Sequence, residues 1–386
     1  MKIKFFIILL FIQFQVWGQT EVKNWALGGY LKDMQSFVLL PKSDMMPSSQ
    51  GLFDNLIHNR LNFAWYPNEN FTFKSDLRTR FFWGDQIRLQ PDNYIDLLNE
   101  ANDFFELSYG ISDSMGVAAH TMIDRFYLDY TTGNWQFRAG RQRINWGINT
   151  AWNPNDIFNA YSFTDFDYEE KPGSDAISAK YYINYASSIE IAVKAFDNIE
   201  KTTAGMLLKW NRWNYDFQIL TGLMDWNLVV GGGWAGNLFD AGFKGEIAYF
   251  SPLGEQQEDG LAITLGIDYI FKNSLYANLG FLYNKNGNND QSLSNIFSFD
   301  LSAKNLYPYK TAFFGSVNYP FSPLINGGIA LIYSPVKTHP LFVSPNLSYS
   351  LGNNLDFGFF GQLILEKNEK FGSPVQAFFI RLKYSF

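Results

Sequence analysis

The sequence predicts an all-β protein, a closed antiparallel transmembrane β-barrel of about 18 strands with long extracellular loops and short periplasmic turns. Three observations predict it. Side chains alternate between apolar and polar with period two from Trp25 to the C terminus. Aromatic residues make up 18% of the chain, yet past the N-terminal segment no stretch is apolar enough for a spanning helix. The connections between alternating segments are short and long by turns, as a barrel anchored in a membrane requires.

The first 18 residues read as a targeting signal. Lys2 and Lys4 form a basic start, Phe5 to Phe14 an apolar run too short to cross a bilayer, and Val16 and Gly18 suit a peptidase that cuts after Gly18. The domain reading is therefore 1–18 signal peptide and 19–386 barrel. Net charge is −7, and −9 once the two signal lysines are removed. So acidic a chain lacks the basic surface that displaces counterions from nucleic acid. Cysteine is absent, which leaves no disulfide framework and no thiolate chemistry.

Each segment has one greasy side. Leu261, Ile263, Leu265, Ile267, Tyr269 and Phe271 alternate with Ala262, Thr264, Gly266, Asp268, Ile270 and Lys272. Phe71, Phe73, Leu77 and Phe81 alternate with Thr72, Lys74, Asp76, Arg78 and Arg80. Segments of roughly ten residues suit tilted strands crossing the hydrocarbon layer. Short connections are expected at Pro67–Asn70, Thr131–Asn134, Asn184–Ser187, Asn211–Asn214, Ala235–Asn237, Lys272–Ser274, Tyr319–Pro323 and Gly352–Asn354. Longer ones fall near 38–51, 84–119, 145–173, 197–201, 251–259, 285–306, 334–340 and 366–373. Only the connection at Asp225 is short where a long one is due. A misreading there would reduce the count to 16.

Aromatic girdles are expected at both strand ends: Trp65, Tyr66, Tyr130, Trp135, Trp210, Trp213, Tyr215 and Tyr319 on the periplasmic side, Phe82, Trp83, Trp146 and Trp226 on the other. The last strand ends in Tyr384 and Phe386, a terminal aromatic pattern of the kind read by the outer-membrane insertion machinery. Strands in lipid leave no N–H or C=O unpaired, so the sheet must close. At this strand number the interior is too wide for wall side chains to fill, and an aqueous lumen lined by charged and small residues is expected.

The lumen face is predicted to carry Lys74, Asp76, Arg78 and Arg80 on the third barrel strand, Arg125 and Asp129 on the fourth, Arg141 and Arg143 at the outer end of the fifth, and Arg381 and Lys383 on the last. The connection 145–173 is long and rich in turn residues, and is expected to fold inward as a constriction loop. Its acids Asp165, Asp167, Glu169 and Glu170 would then face the basic arc and set a field across the pore. The same charges can instead pair with one another and hold the loop. Asp165, Asp167 and Glu169 alternate as Ca²⁺ ligands do, but the glycine and terminal bidentate acid of a calcium loop are missing. No metal and no other cofactor is expected. Gly231-Gly-Gly233 reads as a strand segment that permits curvature.

A catalytic reading has little to stand on. His58 and His120 lie near extracellular strand ends, with Ser112, Ser114 and Thr121 nearby, but neither a nucleophile elbow nor a His-Glu-x-x-His motif is present. The expectation is no enzyme.

The run Gly140-Arg-Gln followed by Trp146-Gly147, with Asn153-Pro-Asn-Asp156 in the next loop and the terminal aromatic strand, resembles the outer-membrane porin group that includes the alginate exporters and the substrate-specific eighteen-stranded porins. The resemblance spans the whole mature length in architecture and about 145–175 in motif. It implies an outer-membrane channel of a Gram-negative bacterium for passive diffusion of small hydrophilic solutes. Its expected partners are outer-membrane lipid, the barrel-assembly machinery, the solutes and a second copy in a homo-oligomer. Polysaccharide export or surface attachment is the alternative, and a barrel hydrolase the third reading.

Overall fold

The computed structural model describes residues 24–40, 49–89, 94–99, 103–113, 115–160, 173–254, 258–289, 299, 301–367 and 371–386. The proposed signal peptide and the acids Asp165, Asp167, Glu169 and Glu170 lie outside the described residues.

The period-two segments fold as strands of one antiparallel sheet. In chain order these are β1 (Trp25–Leu40), β2 (Gln50–Asn68), β3 (Phe71–Gly84), β4 (Ser108–Asp113), β5 (Val117–Thr132), β6 (Trp135–Gln142), β7 (Ser174–Asn184), β8 (Ser187–Lys194), β9 (Thr203–Arg212) and β10 (Tyr215–Met224). There follow β11 (Asn227–Leu238), β12 (Ala241–Pro252), β13 (Gly260–Ile270), β14 (Tyr276–Asn284), β15 (Thr311–Ser322), β16 (Ile325–Tyr333), β17 (Leu341–Gly352), β18 (Leu355–Lys367) and β19 (Phe371–Ser385). Two short helices, α1 (Asp85–Leu89) and α2 (Tyr94–Asn99), sit between β3 and β4.

β19 returns to β1, from Tyr30↔Ser385 to Leu39↔Gln376. The seam ends in a reciprocal backbone pair: Gly29 N–H donates to Phe386 O at 2.8 Å, and Phe386 N–H to Gly29 O at 3.0 Å. The seam closes the cylinder, as expected where no water can satisfy a free edge in lipid, while β4 pairs with β5 alone among the described residues. The barrel has 18 strands and β4 is an addition to it. The shorter count of 16 is excluded, because the short connection at Asp225 is a real hairpin. Asp225 and Trp226 take φ of 47° and 59°, the twist-matched two-residue turn that joins antiparallel strands. Two of the short turns fall later than expected: β11 runs through Ala235–Asn237 to Leu238, and β15 to Ser322.

β4 gives the outer half of β5 a partner where β6 is short. The inner half of β5 pairs with β6, Phe126↔Arg141 to Thr132↔Trp135. Its outer half pairs with β4, Ser108↔Met122 to Asp113↔Val117. The chain leaves the wall after the eight residues of β6 and turns into the barrel.

Outward residues are large and exposed, among them Phe126, Leu128, Ile177, Ile191, Ile219, Leu279 and Ile380. Tyr384 and Phe386 are exposed with them. The inward side differs from expectation. From β7 to β18 it is largely apolar and buried, with Leu207, Leu220, Val229, Phe250, Leu282, Phe314, Ile332, Phe342 and Ile364. Burial is supplied by chain that enters the lumen, and this converts one side of a water-filled cylinder into a packed core.

Candidate functional site

Residues 143–159 form a strap docked on the inner face of one sector of the barrel. Ile144, Trp146, Ile157 and Phe158 pack on Ala176, Ala192, Leu207, Leu220, Met224, Val229, Ala248 and Phe250. Trp146 is fully buried, its ring edge-on to Phe158 at 4.9 Å. Further along, Ala151 and Trp152 join Leu306, Tyr307, Tyr309 and Phe314 in a second apolar cluster. Burial there pushes the Tyr307 and Tyr309 phenols above their ordinary value, so both stay neutral.

Polar anchors fix the strap's register. The Glu246 carboxylate on β12 accepts the backbone N–H of Ile148 at 2.6 Å and Asn149 at 2.7 Å on one oxygen, and that of Asn155 at 3.1 Å on the other. Gln218 donates to Trp146 O at 2.7 Å, Trp146 Nε1 to Glu190 at 3.2 Å, and Asn155 Nδ2 to Gly232 O at 2.9 Å. Asn149 reaches Thr264 at 2.7 Å, and Asn278 reaches Thr150 at 3.1 Å. Buried backbone donors need such partners, since leaving one unpaired costs about 1–3 kcal/mol.

The wall makes room with glycine. A Cβ on Gly205 would stand 2.9 Å from the Trp146 ring, on Gly231 2.5 Å from Asn155 Oδ1, and on Gly233 2.8 Å from Ile148. Gly231 and Gly233 thus make room for the strap. Gly205→Val is expected to lose about 1–3 kcal/mol by overpacking against Trp146. The midpoint of urea unfolding in detergent, read by loss of gel heat-modifiability, checks this. An unchanged midpoint would show that the strap gives way freely.

The opposite sector, β19–β1–β2–β3–β5, carries ionic side chains on its inner face. Lys383, Lys32, His58, Arg80 and His120 stand on one register row, and Tyr30, Arg60, Arg78 and Met122 on the next. Asp124 joins them through a bulge. The register shifts between Asp76↔Arg125 and Leu77↔Ile123, so β5 fits an extra residue there. Asp124 binds Arg60, and Arg78 at 3.1 Å; Asp76 binds Arg60 at 3.1 Å and Lys74 at 3.8 Å. Arg60, Arg78, Asp76 and Asp124 are buried, whereas the Lys74 side chain is 38% exposed.

The other expected lining residues divide by role. Arg80 meets His120 Nδ1 at 3.1 Å and lies over the Phe82 ring. Arg125 donates to Asp124 O at 2.7 Å. Asp129 holds Arg138 at 2.7 Å and Gln136 at 2.8 Å. Arg381 lies over the Phe360 ring and Lys383 over Tyr30, 4.6 Å from its centroid. Arg141 stands opposite Phe126 and Asp175, in the phase of the exposed Phe137 and Ile177. It chelates Asp175 at 2.7 and 2.8 Å and donates to Phe105 O, which fastens the segment leading into β4. Arg143 reaches Asp156 at 3.6 Å at the root of the strap.

His120 Nε2 meets Asn99 Oδ1 at 3.1 Å, and His58 Nε2 lies 3.5 Å from Tyr30 Oη. Both imidazoles sit within the ionic sector.

Sequence reasoning missed Glu246, Asp124, Lys32 and Arg60. The two cations were visible in the same alternation that picks out Lys74. Asp124 was hidden by the bulge, and Glu246 by looking like any inward polar residue.

No family model matches the sequence, and no curated protein matches it. Solved structures do match in fold. Pseudomonas aeruginosa OccK9 (OpdG) superposes with a TM-score of 0.61 at 8% identity, over 94% of this chain and 98% of that one. P. aeruginosa OccK5 (OpdH) gives 0.60 at 8% identity over 93% and 98%, and Acinetobacter baumannii OccAB4 gives 0.58 at 9% identity over 93% and 98%. With closure, strand number and near full-length coverage in agreement, the chain has the fold of the 18-stranded outer-membrane porins.

Proposed function

We propose that the barrel is a passive outer-membrane channel for small hydrophilic solutes. Its path runs between the ionic sector and the strap, and it favours anionic solutes. The observation that carries this is the one-sided docking of residues 143–159. The strap packs against the apolar sector and leaves the cation-rich sector as the polar side of the lumen. There Lys32, Arg60, Lys74, Arg78, Arg80, Arg125, Arg381 and Lys383 outnumber Asp54, Asp76, Asp124, Asp129 and, opposite Lys383, Asp356, and of these cations Lys74, Arg80, Arg381 and Lys383 are the ones not buried. A positive wall in a confined, low-dielectric passage concentrates anions. Likeness in fold to outer-membrane porins supports the same reading. The exposed Tyr384 and Phe386 on the closing strand suit recognition by the assembly machinery, and the outward apolar band suits lipid.

Reconstitution in a planar bilayer tests the proposal. Steady ohmic conductance steps, with a reversal potential on the anion-selective side in a salt gradient, are expected. Silence from protein that remains heat-modifiable on gels would overturn the channel. Replacing His58 and His120 together is expected to leave conducting steps in place. Their loss, accompanied by loss of an ester- or amide-cleaving activity, would favour the hydrolase instead.

A further inference from the structure

The short turns differ around the barrel. In barrels of this kind their end faces the periplasm. From β7–β8 to β15–β16 each turn carries a large apolar residue at or beside its apex: Tyr185, Trp213, Phe239, Phe271 and Leu324. Tyr185, Trp213 and Phe239 are at least 76% exposed, Phe271 44% and Leu324 52%. The turns of the other half rim are polar or small at the apex: Asn353-Asn354 after β17, Glu69-Asn70 after β2 and Gly133-Asn134 after β5.

Two of these residues strain the backbone. Trp213 and Phe239 take φ of 54° and 55° at the first position of their two-residue turns, where Asn, Asp or Gly is the usual occupant. A bulky side chain held there against preference, and left in water, points to a use outside the fold. Trp226 on the opposite rim also has positive φ, but it is partly buried. Lipid does not account for the pattern. The same hairpins carry aromatics further up their strands, Tyr181, Trp210, Trp234, Tyr269 and Tyr319, where a headgroup girdle is expected. Lipid surrounds the whole wall, and the polar half rim has its own girdle in Trp25, Trp65 and Tyr130 with no apolar apex below it.

We propose that this half rim is the seat of a periplasmic protein that presents an apolar face. Neighbouring hairpins stand roughly 10 Å apart, two strand spacings, so the apexes follow an arc of about 40 Å, a width that one folded domain can cover. Covering these side chains buries roughly 700–900 Å², which matches the ~800 Å² per partner of a standard interface. Large aromatics are also the residues that anchor such contacts. Phe239, Phe271 and Leu324 suit protein better than glycan, since their side chains offer no hydrogen bond to a sugar hydroxyl. The seat lies beneath the sector that carries the strap. The ionic sector ends over the polar turns, so a docked partner leaves that side of the mouth open.

The absence of native cysteine allows a direct test. Trp213→Cys and Phe239→Cys are compared with Asn134→Cys and Asn353→Cys, each made singly in the full chain. In lipid nanodiscs, all four are expected to react with a membrane-impermeant maleimide at similar rates. In permeabilised cells the first two are expected to react at least tenfold more slowly. They should stay slow after muramidase digestion, and recover after a urea wash that strips peripheral proteins and leaves the barrel heat-modifiable. The pair Trp213→Asn and Phe239→Gly suits the turn backbone, so the isolated barrel is expected to unfold at no lower urea concentration. In cells the same pair is expected to bring labelling of Tyr185→Cys up to the rate of Asn134→Cys. Slow labelling in nanodiscs would put the apexes in the leaflet, and equal rates in cells would leave the rim bare. Recovery after muramidase would make the partner glycan, and no recovery after urea would rule out a peripheral protein. Each of these four results would overturn the proposal.

Discussion

Glu246→Ala is expected to give the largest change in pore behaviour, with single-channel conductance rising several-fold and becoming noisy. The carboxylate holds three strap N–H groups within 3.1 Å. Hydrogen bonds to a charged acceptor contribute about 1.5–3 kcal/mol each, and removing the acceptor leaves three donors facing an apolar wall. Even at half-additivity the loss is about 3 kcal/mol, enough to populate an undocked strap. Trp146 and Phe158 resist release, so the expected record shows long openings to a larger state rather than a smooth increase. Glu246→Gln separates charge from geometry. One amide oxygen can still accept from Ile148 and Asn149, but the NH₂ group opposes the Asn155 N–H, and an intermediate phenotype is expected. Single-channel recording of both variants checks this. Unchanged conductance in Glu246→Ala would show that apolar packing alone places the strap.

Lys74→Glu combined with Arg80→Glu is expected to lower the anion-to-cation permeability ratio by roughly thirtyfold. A unit charge about 8 Å from a monovalent ion is worth roughly 0.5 kcal/mol in water. Two positive charges become two negative ones, and screening at 0.1 M salt removes about half of the effect. Anions and cations respond in opposite directions, which doubles the change in the ratio. Arg78 is left in place on structural grounds. Its guanidinium holds Asp124 at 3.1 Å in a buried cluster, and a glutamate there would face Asp76 and Asp124 with Arg60 and the partly exposed Lys74 to compensate. Breaking such a cluster costs about 3–5 kcal/mol, so Arg78→Glu tests folding rather than selectivity. Reversal potentials in a KCl gradient read the result. A ratio unmoved by the double change would mean that Lys74 and Arg80 lie off the conducting path.

The wall was legible in the sequence because it depends on a local rule. Alternation assigns each side chain a face, and in lipid one face must be greasy. Phe71 to Phe81, the terminal Tyr384 and Phe386, and the short hairpin at Asp225 could all be read this way. What crosses the lumen was only half legible. Length and turn chemistry pointed to an inward loop after β6, and residues 143–159 do enter. Nothing local said that Trp146 would face Gly205, or that Glu246, about a hundred residues away, would hold its neighbours. Such pairings depend on where two distant strands meet once the cylinder closes. The role of Arg141 was hidden for a similar reason. Its partners Asp175 and Phe105 come from opposite sides of the chain, and only the insertion of β4 brings them together.

Glu246 grips main-chain amides, and a main-chain amide is the same whatever residue carries it. The anchor itself therefore places little demand on the side chains of Ile148, Asn149 and Asn155, whose identities are set instead by what each meets on the wall: Gly233, Thr264 and Gly232. Of residues 148 to 155 Thr150 is the exposed one, so a change of side chain there leaves both the grip of Glu246 and the packing of Trp152 in place.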